Sequence, residues 1–262
     1  MEHTPDPAYQ RLANDLRAAL ADGTYPPGST LPRITDLADR YSISKQTARE
    51  AIAVLESEGL VEVVRRRGTV VREQPGRRVI TRSRQVHRDE IGYYFDPAAQ
   101  PWVAVRKPTV GWGPAPREIA ALLGVAPGGT VLIRDRLMGH PGTLAPQQAA
   151  TSYLPEAIAR GTRLAEGDTG PGGIYDRLER DLGHGPLTWH ETIGARMPTP
   201  TETADLQLPR GTPVLRVLRT ATAPDGTVVE VNDTRMSASA YEIGYPLTRD
   251  ATAAWRPGGR RE

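Results

Sequence analysis

The sequence predicts an α+β protein in two parts, and three observations carry that prediction. Residues 8–72 hold three helical apolar stripes followed by two short β-rich runs around an Arg-Gly tip. The segment PGGTVLIRDRLM (127–138) is echoed by PRGTPVLRVLRT (209–220). Each copy follows a helical pattern and precedes a turn and a further extended run, which predicts two α–β–β units building an antiparallel sheet with helices packed on it. The intervening stretch 73–92 is polar and basic and shows no sustained period, so it reads as a linker. The expected division is an N-terminal domain over 1–75, a linker over 76–94, a sheet domain over 95–250 and a frayed tail over 251–262.

In the first part, Tyr9, Leu12, Ala13, Leu16, Ala19 and Leu20 share one helical stripe that Gly23 ends. TYPPGSTLP is a loop. Residues 34–41 form a short second helix on Ile34, Leu37, Ala38 and Tyr41. After the turn Ser42-Ile43-Ser44, Ser44 is the N-cap of a third helix on Ala48, Ile52 and Leu55, which stops at Gly59. LVEVVRRRGTVV then reads as a hairpin. In the second part, 117–125 and 201–208 are helical, each leading into its copy of the repeat, and YDRLERDLG (175–183) is a helix between the units. Tyr93, Tyr94, Phe95 and Trp102 form an aromatic cluster, readable as a pocket mouth or as core.

Composition narrows the function. Cysteine is absent, which removes disulfides, thiolate metal sites and a cysteine nucleophile. The histidines at 3, 87, 140, 184 and 190 have no metal-ligand spacing, and no G-x-S-x-G or phosphate-cradling glycine loop is present. No cofactor and no metal are expected. No apolar run is long enough to span a bilayer and the N-terminus lacks a signal-peptide core, so a cytoplasmic protein without a membrane partner is expected.

Charge is uneven. Residues 60–88 carry nine arginines against Glu62 and Glu73. Such a band suits a polyanion at one place or a solvated linker. The third helix adds a second sign. Lys45, Gln46 and Arg49 lie one turn apart, opposite Ala48, Ile52 and Leu55. Two helices joined by a tight turn, the second opening on hydrogen-bonding side chains, form the helix-turn-helix pattern, whose second helix enters the major groove. There Gln suits adenine, and Lys and Arg suit guanine or phosphate.

LPRITDLADRYSISKQTAREAIAVLESEGLVEVVRRRGTVV, with YQRLANDLRAALADGTYPPGSTLP before it, resembles the winged helix-turn-helix of the GntR family of bacterial transcription regulators. Residues 95–248 resemble the UTRA effector-binding domain of its HutC subfamily, on TVLIRDRL, TSYLPEAIA, IYDRLERDLG, RGTPVLRVLRTATAPDGTVVEV and Tyr241; that domain is similar in fold to chorismate lyase. The resemblance implies a repressor that binds an inverted-repeat operator as a homodimer and is released by a small effector. It implies DNA contacts from Ser44, Lys45, Gln46, Thr47 and Arg49, and from Arg67, Gly68 and Thr69 at the wing. The family has Ser-Glu-Arg after Leu-Pro where this chain has Arg33, Ile34 and Thr35; Arg33 and Thr35 are the candidate phosphate contacts there. Lys45 stands where arginine is commoner, which removes a bidentate fork.

On the strand VLIRDRLM, Leu132, Arg134, Arg136 and Met138 face one way. Two guanidiniums on one face clamp an anion or form a solvated edge. The UTRA resemblance implies the first, with Ser152 and Tyr153 from the next strand, Glu230 from the second repeat, and Tyr241. Pro146 is expected to interrupt the strand before Ser152. The implied ligand is a sugar phosphate, a carboxylate or another anionic metabolite. Two alternatives remain: a DNA-binding protein whose second domain only dimerises, and an enzyme on a chorismate-lyase-like fold.

Overall fold

A computed structural model describes residues 6–72, 77–90, 94–95, 102–142 and 145–253. The apolar stripes of the first part become helices α1 (Ala8–Ala21), α2 (Ile34–Tyr41) and α3 (Lys45–Ser57). They close over one core that includes Leu12, Leu16, Leu37, Ile52 and Leu55. The turn between α2 and α3 works because Ser42 adopts φ +52 and closes α2, after which the Ser44 hydroxyl accepts the Thr47 N–H at 3.0 Å and opens α3. Strands β1 (Val61–Val64) and β2 (Gly68–Val71) form the hairpin. Arg66 at φ +69 and Gly68 at φ +92 make its tip.

The stretch expected to be an irregular linker carries two strands. β3 (Arg78–Thr81) pairs in parallel with the far C-terminal β13 (Tyr241–Gly244), and β4 (His87–Arg88) pairs with β5 (Tyr94–Phe95). Only Ile80 of β3 is buried, so four residues with one apolar anchor leave no readable period. The pairing partner lies 163 positions away by register (Arg78 to Tyr241), beyond any local signal.

The second part is a seven-stranded sheet. Its path runs β10 (Thr188–Arg196), β11 (Val214–Thr222), β12 (Val228–Ser237), β9 (Pro146–Pro155), β8 (Thr130–Gly139), β6 (Val103–Ala104), with β7 (Thr109–Pro114) also on β8. The two repeat units contribute β8–β9 and β11–β12, joined at the centre by β12 on β9. Pro146 does not interrupt β9. It is the strand's first residue, opposite Gly139 at a register shift, a position where its missing N–H costs no central ladder bond.

Each sheet face is covered differently. On one, α4 (Arg117–Leu123) packs Ile119, Ala120 and Leu123 against Val131, Leu218 and Val231, and the segment after α7 (Pro200–Asp205) packs Leu206 and Leu208 against Leu137 and Val214. Among the described residues, the other face carries an apolar cluster at each of its two ends. At one end α5 (Glu156–Ala159), a 3-10 turn at 163–165 and α6 (Gly173–Asp176), which runs on into a π turn at 177–181, cover Leu132, Leu154 and Ala221. At the other, Ile80 and Tyr241 from the β3–β13 pair meet Val217 and Met236. A polar zone lies between these apolar clusters. Trp102 stands in the second cluster, edge-on to Tyr241 with centroids 5.9 Å apart, and so belongs to core. Tyr93 lies outside the described residues, as do the side chains of Tyr94 and Phe95. The expected tail begins with a short 3-10 turn, Ala251–Ala253; the remainder lies outside the described residues.

Candidate nucleic-acid interface and ligand site

The first turn of α3 presents Lys45, Gln46 and Arg49 to solvent, with Ala48 and Ile52 buried behind them. Gln46 is held along the helix by Glu50, to which its amide donates at 3.2 Å. Ser44 and Thr47 are joined hydroxyl to hydroxyl at 2.8 Å in addition to the cap. Their polar atoms serve the helix start, which fixes where Lys45 and Gln46 point. Arg33, at the N-cap of α2, and Thr35 are exposed on the preceding helix. At the hairpin tip Arg65, Arg66, Arg67 and Gly68 are exposed, and Arg67 reaches back to the Gly28 carbonyl at 3.4 Å. Thr69 is not with them: it is 8% exposed, one step past the tip on β2, with its carbonyl taken by the Leu31 N–H.

The polar zone of the sheet is a single transverse row. Glu191, Arg219, Asn232, Ser152 and Arg134, on β10, β11, β12, β9 and β8, each stand directly opposite the next. Directly opposed residues of an antiparallel pair share a face, with Cβ atoms about 5 Å apart. Five polar side chains from five strands are thereby lined up, flanked by Glu230 on one side and Arg136 and Thr234 on the other.

The row is internally bonded. Arg219 Nε donates to Glu191 Oε1 at 2.8 Å. Asn232 Nδ2 and Arg136 Nη2 both donate to Ser152 Oγ, at 3.0 and 2.9 Å, and Thr234 donates to Asn232 Oδ1 at 2.8 Å. The Tyr175 hydroxyl donates to Glu230 Oε2 at 2.6 Å. Burial pushes the Tyr175 phenol up, and the Glu230 carboxylate adds to the rise, so the phenol keeps its proton and remains a donor. Burial alone would depress Arg219, but its hydrogen-bonded ion pair with Glu191 holds it above its ordinary value. Arg82, just past β3, brings its guanidinium to 3.9 Å from Glu191.

The two expected anion-binding arginines are placed differently. Arg134 is 6% exposed and caged by a loop: Nη1 donates to the Leu164 and Glu166 carbonyls at 2.5 Å each, and Nη2 to the Gly167 carbonyl at 3.4 Å. Burial lowers its pKa, the charge of Arg136 lowers it further, and Asp168 and Glu230 oppose both. Arg136 is only half-buried, and its Nε is enclosed without a hydrogen-bond partner among the described residues. Ser152, wholly buried, and Glu230, at 2% exposure, share their face. Tyr241 stands at that face's far end, its hydroxyl on Gln147. Tyr153 is not brought together with them. As the neighbour of Ser152 on a strand it must point the other way, and it packs under α4 beside Val231. Among the described residues no group of His, Asp and Glu could hold a metal, and no helix is long and apolar enough to cross a membrane.

Sequence reading missed Glu191, Arg219, Asn232 and Tyr175. Alternation along VLRVLRT puts Arg219 and Arg216 on opposite faces, but nothing local says which face is the polar one. Arg216 faces α4, where it pairs with Asp233 and Glu118.

Comparison with known proteins agrees with this architecture. Residues 8–71 match the family described as bacterial regulatory proteins, gntR family, and residues 108–242 match the UTRA domain. An uncharacterised HTH-type transcriptional regulator of Streptomyces coelicolor is 34% identical over 234 residues, covering 86% of each chain. The HTH-type transcriptional repressor NagR of Bacillus subtilis is 23% identical, over 87% of this chain and 90% of its own. A crystal structure of a protein assigned to the GntR family of transcriptional regulators superposes with a TM-score of 0.65 at 31% identity, over 94% of this chain and 99% of that one.

Proposed function

We propose, since the chain belongs to the gntR family of bacterial regulatory proteins and carries a UTRA domain, that it is a homodimeric repressor whose grip on an inverted-repeat operator is released by a small anionic effector. That it is a DNA-binding transcription regulator and not an enzyme follows from the family. Repression is the part that a relative's name supports, NagR being a repressor.

The transverse row carries the effector reading. Charged groups between two apolar clusters cost desolvation energy, and an apolar face would be as stable or more so. A domain that only dimerised would have no use for them. The row has complementary flanks. Arg136, with an unused Nε, and the Ser152 hydroxyl suit a phosphate or carboxylate on one flank; Glu230 suits hydroxyl or amine groups on the other. The ligand acts by differential affinity, favouring a domain arrangement that fits the half-site spacing poorly.

Two measurements test this. Footprinting on the protein's own promoter should give a protected inverted repeat. A thermal-shift screen with sugar phosphates and carboxylates should find a stabilising ligand that also lifts the footprint. Protection without two-fold symmetry, or a stabilising ligand that leaves the footprint intact, would sink the proposal.

A further inference from the structure

We infer that the turn Pro209–Pro213 is a latch, which docks on the C-terminal end of the recognition helix and holds the winged domain in its operator-binding arrangement. The inference rests on the regulator reading above and names the device by which the ligand row is coupled to DNA.

Four observations meet at this turn. Gly211, at φ +73, lies so close to α3 that a Cβ on it would stand 2.5 Å from the Ser57 carbonyl oxygen and 2.9 Å from that of Glu56. Only glycine fits against those carbonyls. Arg72, which follows β2, donates from Nη1 to both the Gly59 carbonyl and the Thr212 hydroxyl, each at 3.4 Å, and Thr212 is buried. Arg210 lies 3.6 Å from Glu56. Beside these contacts a cleft of about 940 Å³ separates the domains, walled by Glu62 and Arg67 on one side and Ser239 and Glu242 on the other. Among the described residues the contact is local and lies beside open space, and it can be made or lost without unfolding either domain.

The turn is tied to the ligand row. Residue 213 passes directly into β11, which carries Arg219. Leu206, Leu208 and Val214 anchor the turn in the sheet. A second tie joins the domains from the other side: β3 is stapled to β13, and Arg82 beyond it faces Glu191 of the row. A shift of β11 or Glu191 on ligand binding thus reaches the winged domain through both attachments. The latch grips only the rear of α3, so Lys45, Gln46 and Arg49 stay exposed. Fixing the domain's orientation removes freedom that operator binding would otherwise have to remove, so the latched arrangement binds more tightly.

The test exploits the absence of cysteine from this chain. Gly211→Ala should weaken binding to the footprinted operator by at least about fivefold. Gly226→Ala is the matched control, because Gly226 also has positive φ but open space around its Cβ position, so it adds backbone strain without a clash. The pair Glu56→Cys/Arg210→Cys, which replaces side chains whose charged ends lie 3.6 Å apart, should be joined by a flexible bis-maleimide, and the cross-linked protein should keep wild-type operator affinity. Equal binding by the two alanine variants, failure of the bis-maleimide to join the two cysteines, or loss of operator binding in the cross-linked protein that is absent when each cysteine is capped singly would each overturn the latch. A wild-type protein that protects no operator would instead overturn the regulator reading, and the cross-link yield would still report on docking.

Discussion

Arg134 stands directly opposite Ser152 across β8 and β9, yet of the two arginines it is Arg136 that hydrogen-bonds it, donating from Nη2 to Ser152 Oγ at 2.9 Å. Arg134 turns instead to the 164–167 carbonyls. Two arginines that look equivalent on a strand are thereby divided into one that braces a loop and one that faces the row with an unused N–H.

This division predicts different phenotypes. Arg134→Ala leaves three carbonyls short of a charged donor and should destabilise the protein by about 1–3 kcal/mol, read by denaturant unfolding. Arg136→Ala should leave stability nearly unchanged while weakening the stabilising effect of a sugar phosphate about tenfold or more in thermal-shift titrations. An Arg136→Ala protein that responds to ligand as wild type does would place the anion elsewhere.

Recognition-helix side chains should act on sequence reading alone. Arg49→Ala and Gln46→Ala should each cost about 1–3 kcal/mol on the specific operator, with folding intact. Gln46 is positioned by Glu50 at 3.2 Å, so Glu50→Ala should give a smaller loss in the same direction. Thr69→Ala should not behave as a DNA contact, since Thr69 is buried in the hairpin. Gel-shift titrations on matched and scrambled sites separate these outcomes; equal losses on both sites would remove Gln46 and Arg49 from base reading.

At the wing, Arg65, Arg66 and Arg67 are exposed together at a tip whose backbone is held by left-handed residues. Replacing all three by Ala should weaken specific and non-specific binding alike. Each lost phosphate contact should reduce the log–log salt slope by roughly 0.9. An unmoved slope would mean the tip is solvated in the complex.

How far these sites could be read from the chain depends on the range of the interactions that build them. The helix-turn-helix was legible because it is local: Ser44 caps its own helix, and Ala48, Ile52 and Leu55 repeat at helical spacing. Half of the polar face was legible because alternation alone puts Arg134 and Arg136 together. The remainder depends on register. Arg219 meets Asn232 and Glu191 only because three strands pair without a slip at that row, and Tyr175 reaches Glu230 from a helical segment 55 positions away. For Tyr153 the resemblance and the alternation conflict, and the sheet follows alternation. The β3–β13 pair shows the limit most plainly, since one buried side chain in four residues gives no pattern to read.

The last prediction concerns acid stability and lies on the α4 face, away from the transverse polar row. Glu202 caps α7 through a reciprocal box with Thr199 and takes two hydrogen bonds from Arg196, at 2.7 Å each. Arg235 Nε lies 3.3 Å away. Burial would raise its pKa, but the Arg196 hydrogen bonds, the Thr199 N–H and the two positive charges outweigh it and hold the carboxyl down at about 2, against an ordinary value of 4.5. A depressed carboxyl stabilises the fold above its unfolded pKa and loses that contribution as pH falls through the folded value. Wild type should therefore lose stability progressively from about pH 4.5 towards pH 2. Glu202→Gln should be less stable than wild type at pH 7, by about 2 kcal/mol, the worth of a charge-assisted hydrogen bond. The gap should close across the same acid window, because a protonated glutamate and the glutamine that replaces it are both uncharged. Melting curves at intervals between pH 7 and pH 2 decide it. A gap that stays constant with pH would show that the loss is one of packing at α7, and that the Arg196–Glu202–Arg235 charges contribute nothing net.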